Sequence, residues 1–209
     1  MIRFSEDFKR SILIFVSATM VFSMLAYVSV SPRPKEQFFQ IYVLGENKMA
    51  DRYYPNDNPN IVPGTRVRWH LGATNFMGSI QYVILRVKLS NSTIDPPDEK
   101  NRVPSPAPEI TEFHRVLLNN ETWQFPFTWR IDDVKKVGED YYLRRLSVNE
   151  RDVQPSPISA RKGYNYRIIV EIWTLDPSDR HVMFGWRAGA ETRVAWLQIW
   201  FNATLPRGS

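Results

Sequence analysis

Hydrophobic positions fall into two regimes along this chain. Residues 11–30 read SILIFVSATMVFSMLAYVSV, twenty positions without a charged side chain or a proline. At about 1.5 Å of helical rise per residue, such a run extends about 30 Å, the thickness of a bilayer's hydrocarbon core. No run of that length recurs. Further on, apolar and polar residues alternate over short stretches separated by Pro, Gly, Asn and Asp. The first regime predicts one membrane-spanning helix and the second an all-β domain.

Two other readings of residues 11–30 compete with a signal anchor. A cleaved signal peptide has an apolar stretch of about 7–15 residues and ends in small residues, whereas this run is longer and passes through Leu25, Tyr27 and Val28 into Ser31 and Pro32. A buried core helix would need amphipathic partner helices, and no helical period follows. The expected layout is a cytoplasmic tail over residues 1–10, the transmembrane helix over 11–30, a proline-stiffened linker over 31–36, an extracellular domain over 37–204 and a tail over 205–209.

Within the domain, residues 37–44 (QFFQIYVL) predict a buried strand stopped by Gly45. Residues 65–71 place Val67, Trp69 and Leu71 on one face and Arg66, Arg68 and His70 on the other, a half-exposed strand. Residues 79–89 alternate in the same way, with Arg86 and Lys88 between apolar positions, and are expected to pair with 65–71 as a hairpin. Residues 91–108 carry five prolines and predict a mobile surface loop. Strands are expected near 109–118, over 123–131 and over 163–175. The first of the latter two faces the core with Trp123, Phe125, Phe127, Trp129 and Ile131, and its Pro126 belongs at an edge or bulge. Residues 132–161 offer only 141–146 as an element, and 181–187 and 192–203 close the domain. Seven to eight strands of this kind predict an antiparallel, immunoglobulin-like β-sandwich.

Composition narrows the setting. The 209 residues include no cysteine, which for an exported chain fits a bacterial or archaeal surface better than an animal one. The net charge of +5 is spread along the chain, so no nucleic-acid surface is expected. Charges flanking the apolar run barely decide its orientation. The three sequons, Asn91-Ser-Thr, Asn120-Glu-Thr and Asn202-Ala-Thr, all follow it and favour an outward, N-glycosylated domain.

Candidate chemistry is sparse. His70, His114 and His181 are far apart, and HExxH, GxSxG, GxxxxGK[ST] and CxxC are absent. The acids Asp132-Asp133, Glu139-Asp140 and Asp176/Asp179 read as turn-forming or solvated rather than as an acid/base pair. An oxygen-rich loop at Asp51, Asn56, Asp57 and Asn58 lacks the ligand order of a calcium loop. Of the seven tryptophans, Trp69, Trp123, Trp129 and Trp196 are in phase with strand cores, with Trp173 a further case. No catalytic residue, metal or cofactor is expected.

Several short stretches carry a resemblance: Phe38-Phe-Gln-Ile-Tyr-Val-Leu-Gly45, Val62-Pro-Gly64, the V-x-W-x-L strand ending in Asn75, Leu117-Leu-Asn-Asn-Glu-Thr-Trp123, Ile172-Trp-Thr-Leu175 and Trp196-Leu-Gln-Ile-Trp200. Following an apolar span, they resemble an uncharacterised family of archaeal and bacterial membrane proteins with an extracellular β-sandwich. The resemblance implies an outward sandwich and no catalytic residues. That family has several spans at its N-terminus and this chain has one.

The expected function is a membrane-anchored, non-catalytic binding or structural domain of the cell envelope. Its partners would be the lipid bilayer, through residues 11–30, and an envelope protein or acidic glycan meeting a basic face of Arg66, Arg68, His70, Arg86 and Lys88. The alternatives are a filament subunit joined by strand exchange, and a carbohydrate-active enzyme or carbohydrate-binding module.

Overall fold

The computed structural model describes residues 6–30, 36–176 and 178–205. Residues 1–5 of the expected tail, 31–35 of the expected linker and 206–209, with the flanking charges Arg3, Arg33 and Lys35, lie outside the described residues. The chain divides into two units, residues 1–35 and 36–209.

The described residues of the first unit form a single helix, α1 (Glu6–Val30), of 25 residues. It starts earlier than the apolar run, so Glu6 to Arg10 continue the helix instead of forming a separate tail. Its stretch Arg10–Val30 is long and apolar enough to cross a membrane, and none of that stretch is buried. Ser11, Thr19 and Ser29 donate their hydroxyls to the carbonyls of Asp7, Phe15 and Leu25, at 3.0, 2.8 and 2.8 Å. Each bond spans one turn, so these polar side chains are satisfied within the helix and require no water.

The second unit is an antiparallel β-sandwich with one short parallel pairing at an edge. The first sheet contains β1 (Phe39–Leu44), β3 (Arg66–Asn75), β6 (Thr122–Val137), β7 (Asp140–Val148) and β8 (Arg151–Val153) in that order, with β9 (Ile158–Arg161) also on β7. The second runs β2 (Asn60–Ile61), β14 (Trp196–Ala203), β10 (Tyr166–Asp176), β4 (Gln81–Asn91), β5 (Glu109–Leu117), with β11 (His181–Phe184) also on β10. A hairpin of β12 (Trp186–Ala188) and β13 (Glu191–Arg193) stands apart.

The period-two pattern correctly marks the inward faces. Val67, Trp69, Leu71, Phe127, Trp129 and Ile131 are all buried on the first sheet. Tyr166, Ile168, Val170 and Ile172 answer them from β10 on the second. Aromatic rings join the layers: Trp129 lies 4.8 Å from Phe201 and 5.4 Å from Trp69, and Phe201 lies 5.6 Å from Tyr166. These spacings are those of favourable offset and edge contacts, added to the burial of large rings.

Three expectations about connectivity are corrected. β3 and β4 do not form a hairpin: β3 pairs with β1 and β6, whereas β4 pairs with β10 and β5, in the opposite sheet. Both strands need neighbours on two sides, and the connection at Phe76–Ile80 carries the chain across the sandwich instead of reversing it within one layer. Residues 132–161 hold the end of β6 and all of β7, β8 and β9; register shifts between Ile131 and Val134 break the alternation that identifies strands. β6 therefore serves two partners, β3 through residues 122–130 and β7 through 129–137. Pro126 falls where β6 has only β3 beside it, as an edge proline requires.

The third correction concerns the proline-rich segment between β4 and β5. It is packed over the outer face of the second sheet, with Ser105 and Ala107 only 3 % and 5 % exposed. Asp98 and Val103 bridge it internally through two backbone bonds of 2.8 and 3.0 Å.

Candidate interaction surface

The outer face of the second sheet is where charge meets tryptophan. Lys88 and Glu171 project from adjacent strands, β4 and β10, into the space beneath the 92–108 segment. Lys88 is 7 % exposed and Glu171 0 %, and their charged groups lie 2.9 Å apart. Burying two charges is costly unless every remaining hydrogen-bonding position is filled. Here they are filled: Glu171 accepts from Ser105 N (2.8 Å) and Trp173 Nε1 (3.0 Å), while Lys88 Nζ also donates to Ser105 O (2.6 Å). The pair therefore clasps the segment to the sheet.

Its neighbours follow the same logic. Arg86 lies over the Trp173 ring at 4.1 Å and within 3.4 Å of both Glu109 and Glu112. Burial, outweighing the pull of Arg86, raises the Glu109 pKa above the usual carboxylate value. Arg167 stacks on Trp200 at 4.8 Å, donates to Gln198 Oε1 at 2.7 Å and also to the carbonyl of Ile94. Burial lowers its pKa, countered in part by Asp95. Trp196 Nε1 donates to Glu99 in the covering segment, at 3.0 Å. Trp173 and Trp196 thus belong to this outer layer and not to the inter-sheet core, correcting their expected phase.

The predicted basic face is consequently split. Arg66, Arg68 and His70 stand on the outer side of β3 in the first sheet. Arg86 and Lys88 stand on the outer side of the second, where Lys88 is enclosed and Arg86 is half-buried under its partners. The five residues form no common surface, because β3 and β4 belong to different layers.

What remains around β3 is an exposed groove of about 250 Å³, lined by Glu46, Arg52, Tyr53, Tyr54, Pro55, Arg66 and Arg68. Arg68 pairs with Glu46 at 2.6 Å and Arg66 with Glu150 at 2.9 Å, both in exposed positions. His70 is half-buried, with Nδ1 3.2 Å from Gly45 O. Three guanidinium groups thus meet two carboxylates at the groove. Arg52 and Glu46 come from the loop after β1, outside any alternating segment, so strand periodicity gave no sign of them. Further along β1, Tyr42 lies across Gly72 and its hydroxyl donates to Gln124 at 3.2 Å. A Cβ at residue 72 would come within 2.1 Å of that ring.

The sequons also separate. Asn91 is 6 % exposed, with Nδ2 donating to Ser159 O at 2.7 Å. Asn202 is half-buried, with Nδ2 2.8 Å from Asn60 Oδ1. Asn120 is exposed at the turn between β5 and β6. Among the described residues no group of three or more His, Cys, Asp or Glu side chains is arranged to hold a metal.

Solved structures at low identity align with this chain. The CARDB domain of a Pyrococcus furiosus protein, solved in complex with di-metal ions, aligns over 84 % of this chain and 100 % of that one at 10 % identity, TM-score 0.38. The sporulation control protein Spo0M of Bacillus subtilis aligns over 80 % of this chain and 49 % of its own at 11 % identity, TM-score 0.35. A β-glucosidase of Listeria innocua, in complex with gluconolactone, aligns over 81 % of this chain and 17 % of its own at 8 % identity, TM-score 0.35. No family model matches the chain, and no curated protein does.

Proposed function

We infer that this chain is a membrane-anchored envelope protein whose β-sandwich faces outward and binds an acidic partner without catalysis. The observation carrying the anchor is α1, apolar over Arg10–Val30 and unburied throughout that stretch. Left in water, such a surface would be a strong liability for association; placed in a bilayer it is satisfied. The three downstream sequons support the outward orientation, and the absence of cysteine supports a bacterial or archaeal envelope.

The binding surface is the groove beside β3. Its third guanidinium, Arg52, exceeds the local carboxylates, and its two ion pairs are exposed and can exchange partners at little cost. An acidic glycan or an acidic surface protein fits this chemistry. The buried charges Lys88 and Glu171 are held in a structural clasp, which favours a binding role over acid/base work. β1 supplies the edge of the first sheet from the chain's own sequence, which weighs against assembly by strand exchange.

Two measurements test this reading. After alkaline extraction of membranes, the full chain is expected in the pellet and a form starting at residue 36 in the supernatant; release of the full chain contradicts the anchor. The residue 36–209 domain is expected to be retained on an acidic polysaccharide resin at low salt and released as salt rises. Arg52→Gln, Arg66→Gln and Arg68→Gln together should abolish retention, and unchanged retention excludes the groove.

A further inference from the structure

Three N-x-Thr patterns of identical appearance in sequence occupy three different environments. Asn91, at the end of β4, uses its whole amide. Its Oδ1 accepts from Thr93 N (2.9 Å), Thr93 Oγ1 (2.9 Å) and Ile94 N (3.0 Å), while Nδ2 holds Ser159 O. The hydroxyl that completes the sequon is thus part of the turn that starts the packed 92–108 segment. Such side-chain caps are a common use of Asn and Thr at strand ends. Asn202 sits inside β14, its Nδ2 on Asn60 Oδ1 and its Oδ1 accepting from Asn165 N at 3.0 Å, which ties the parallel β2 edge to the start of β10.

Asn120 differs in its exposure and in its side-chain amide, while the hydroxyl of its sequon, Thr122 Oγ1, shares a hydrogen bond with Thr74 Oγ1 at 3.0 Å. Asn120 lies at the apex of the β5–β6 turn in left-handed backbone, φ 63°, a conformation Asn tolerates well. The turn is held by its neighbours: Asn119 Oδ1 accepts from Gly78 N (2.8 Å), and Glu121 accepts from Leu118 N (2.8 Å) and pairs with Arg115 (2.9 Å). The Asn120 main-chain N–H donates to Asn75 O at 2.7 Å. Among the described residues its side-chain amide has no hydrogen-bond partner.

Resting on the outward orientation inferred above, we propose that Asn120 is the N-glycan acceptor of this protein and that the Asn91 and Asn202 sequons are structural and unmodified. The donor is an oligosaccharide carried on a polyprenyl phosphate or diphosphate. Asn120 Nδ2 forms a bond to the anomeric carbon as that carbon's bond to the carrier oxygen breaks. The lipid phosphate leaves with the electron pair, and the amide gives up one proton. At Asn91 the timing makes no difference. After folding, the amide is enclosed; before folding, a glycan there would prevent the bond to Ser159 and the packing of residues 92–108.

The test uses the full chain with an acceptor sequon appended after Ser209, made in glycosylating membranes and read by glycosidase-sensitive mobility and peptide mass spectrometry. The expected result is glycan on the appended tag and on Asn120, with the Asn91 and Asn202 peptides unmodified. Asn120→Asp, which keeps a residue tolerant of left-handed backbone, and Thr122→Ala should each remove one glycan. A modified tag with unmodified Asn120, or a glycan on Asn91 or Asn202 in the folded chain, overturns the assignment while leaving the orientation intact. An unmodified tag overturns the outward orientation and this assignment with it.

Discussion

Buried polar side chains determine where the loops of this sandwich go, and Asn75 is the clearest case. It is completely buried, and its Nδ2 donates to the carbonyls of Ser79, Leu117 and Leu118 while its Oδ1 accepts from Met77 N. One amide therefore holds both connections at that end of the domain. Asn75→Leu leaves several main-chain groups without partners and is expected to lower stability by about 3 kcal/mol in urea unfolding, since each such buried group costs about 1–3 kcal/mol. The Lys88–Glu171 clasp separates two effects. Glu171→Ala leaves a buried ammonium unpaired and should cost about 3–5 kcal/mol, whereas Lys88→Met with Glu171→Leu should cost much less. Equal losses in the two variants would show that the pair matters for more than charge compensation. None of these partnerships was legible in the sequence, because burial of a polar residue on an outward face depends on which loop lands above it.

Strands were legible where two conditions coincided, alternation and a face wholly buried on one side. Residues 65–71, 123–131 and 166–175 come nearest to meeting both, and their inward residues were identified, with Phe125 only partly buried and Tyr164, before the start of β10, exposed. Residues 132–161 fail the first condition at the bulges after Ile131. The 181–187 stretch is divided between β11 and β12, and residues 192–203 between β13 and β14. Strand partners were not legible, since period two says which way a side chain points and nothing about which strand lies alongside. Gly72 carries a hidden requirement of this sort: Gly72→Ala drives a methyl group into the Tyr42 ring and should lower the midpoint of thermal unfolding, with Tyr42→Ala relieving part of the loss. The β10–β11 turn supplies a pH dependence. Asp176 Oδ1 accepts from Ser178 N at 2.9 Å, and Arg187 lies 2.8 Å from Oδ2 at ionic distance without hydrogen-bond alignment. The Ser178 N–H, followed by Arg187, lowers the Asp176 pKa. A lowered pKa means the folded form binds its proton less readily than the unfolded one. The stabilisation is therefore complete above the unfolded value of about 3.9 and is lost as pH falls through the lower folded value. Asp176→Asn should flatten the decline of thermal stability between about pH 4 and pH 2; an unchanged slope would place the acid sensitivity elsewhere.

The whole molecule combines a helix that buries none of its own apolar stretch with a sandwich whose aromatic core is complete without it. That division was readable from the sequence, because a twenty-residue uncharged run and a period-two pattern demand different solvents. The groove proposed for binding was readable only in part: Arg66 and Arg68 were found by alternation, while Arg52 joins them through a loop and Arg86 and Lys88 are carried to the other sheet. The central claim is that α1 spans a membrane with the sandwich outside, and the chain's lack of cysteine makes it directly measurable. Single cysteines at Lys136, exposed on β6, and at Asp7, exposed near the start of α1, are treated with a membrane-impermeant maleimide in intact and permeabilised cells. The account predicts labelling of Lys136→Cys in intact cells and of Asp7→Cys only after permeabilisation; labelling of Asp7→Cys from outside with Lys136→Cys protected would contradict it.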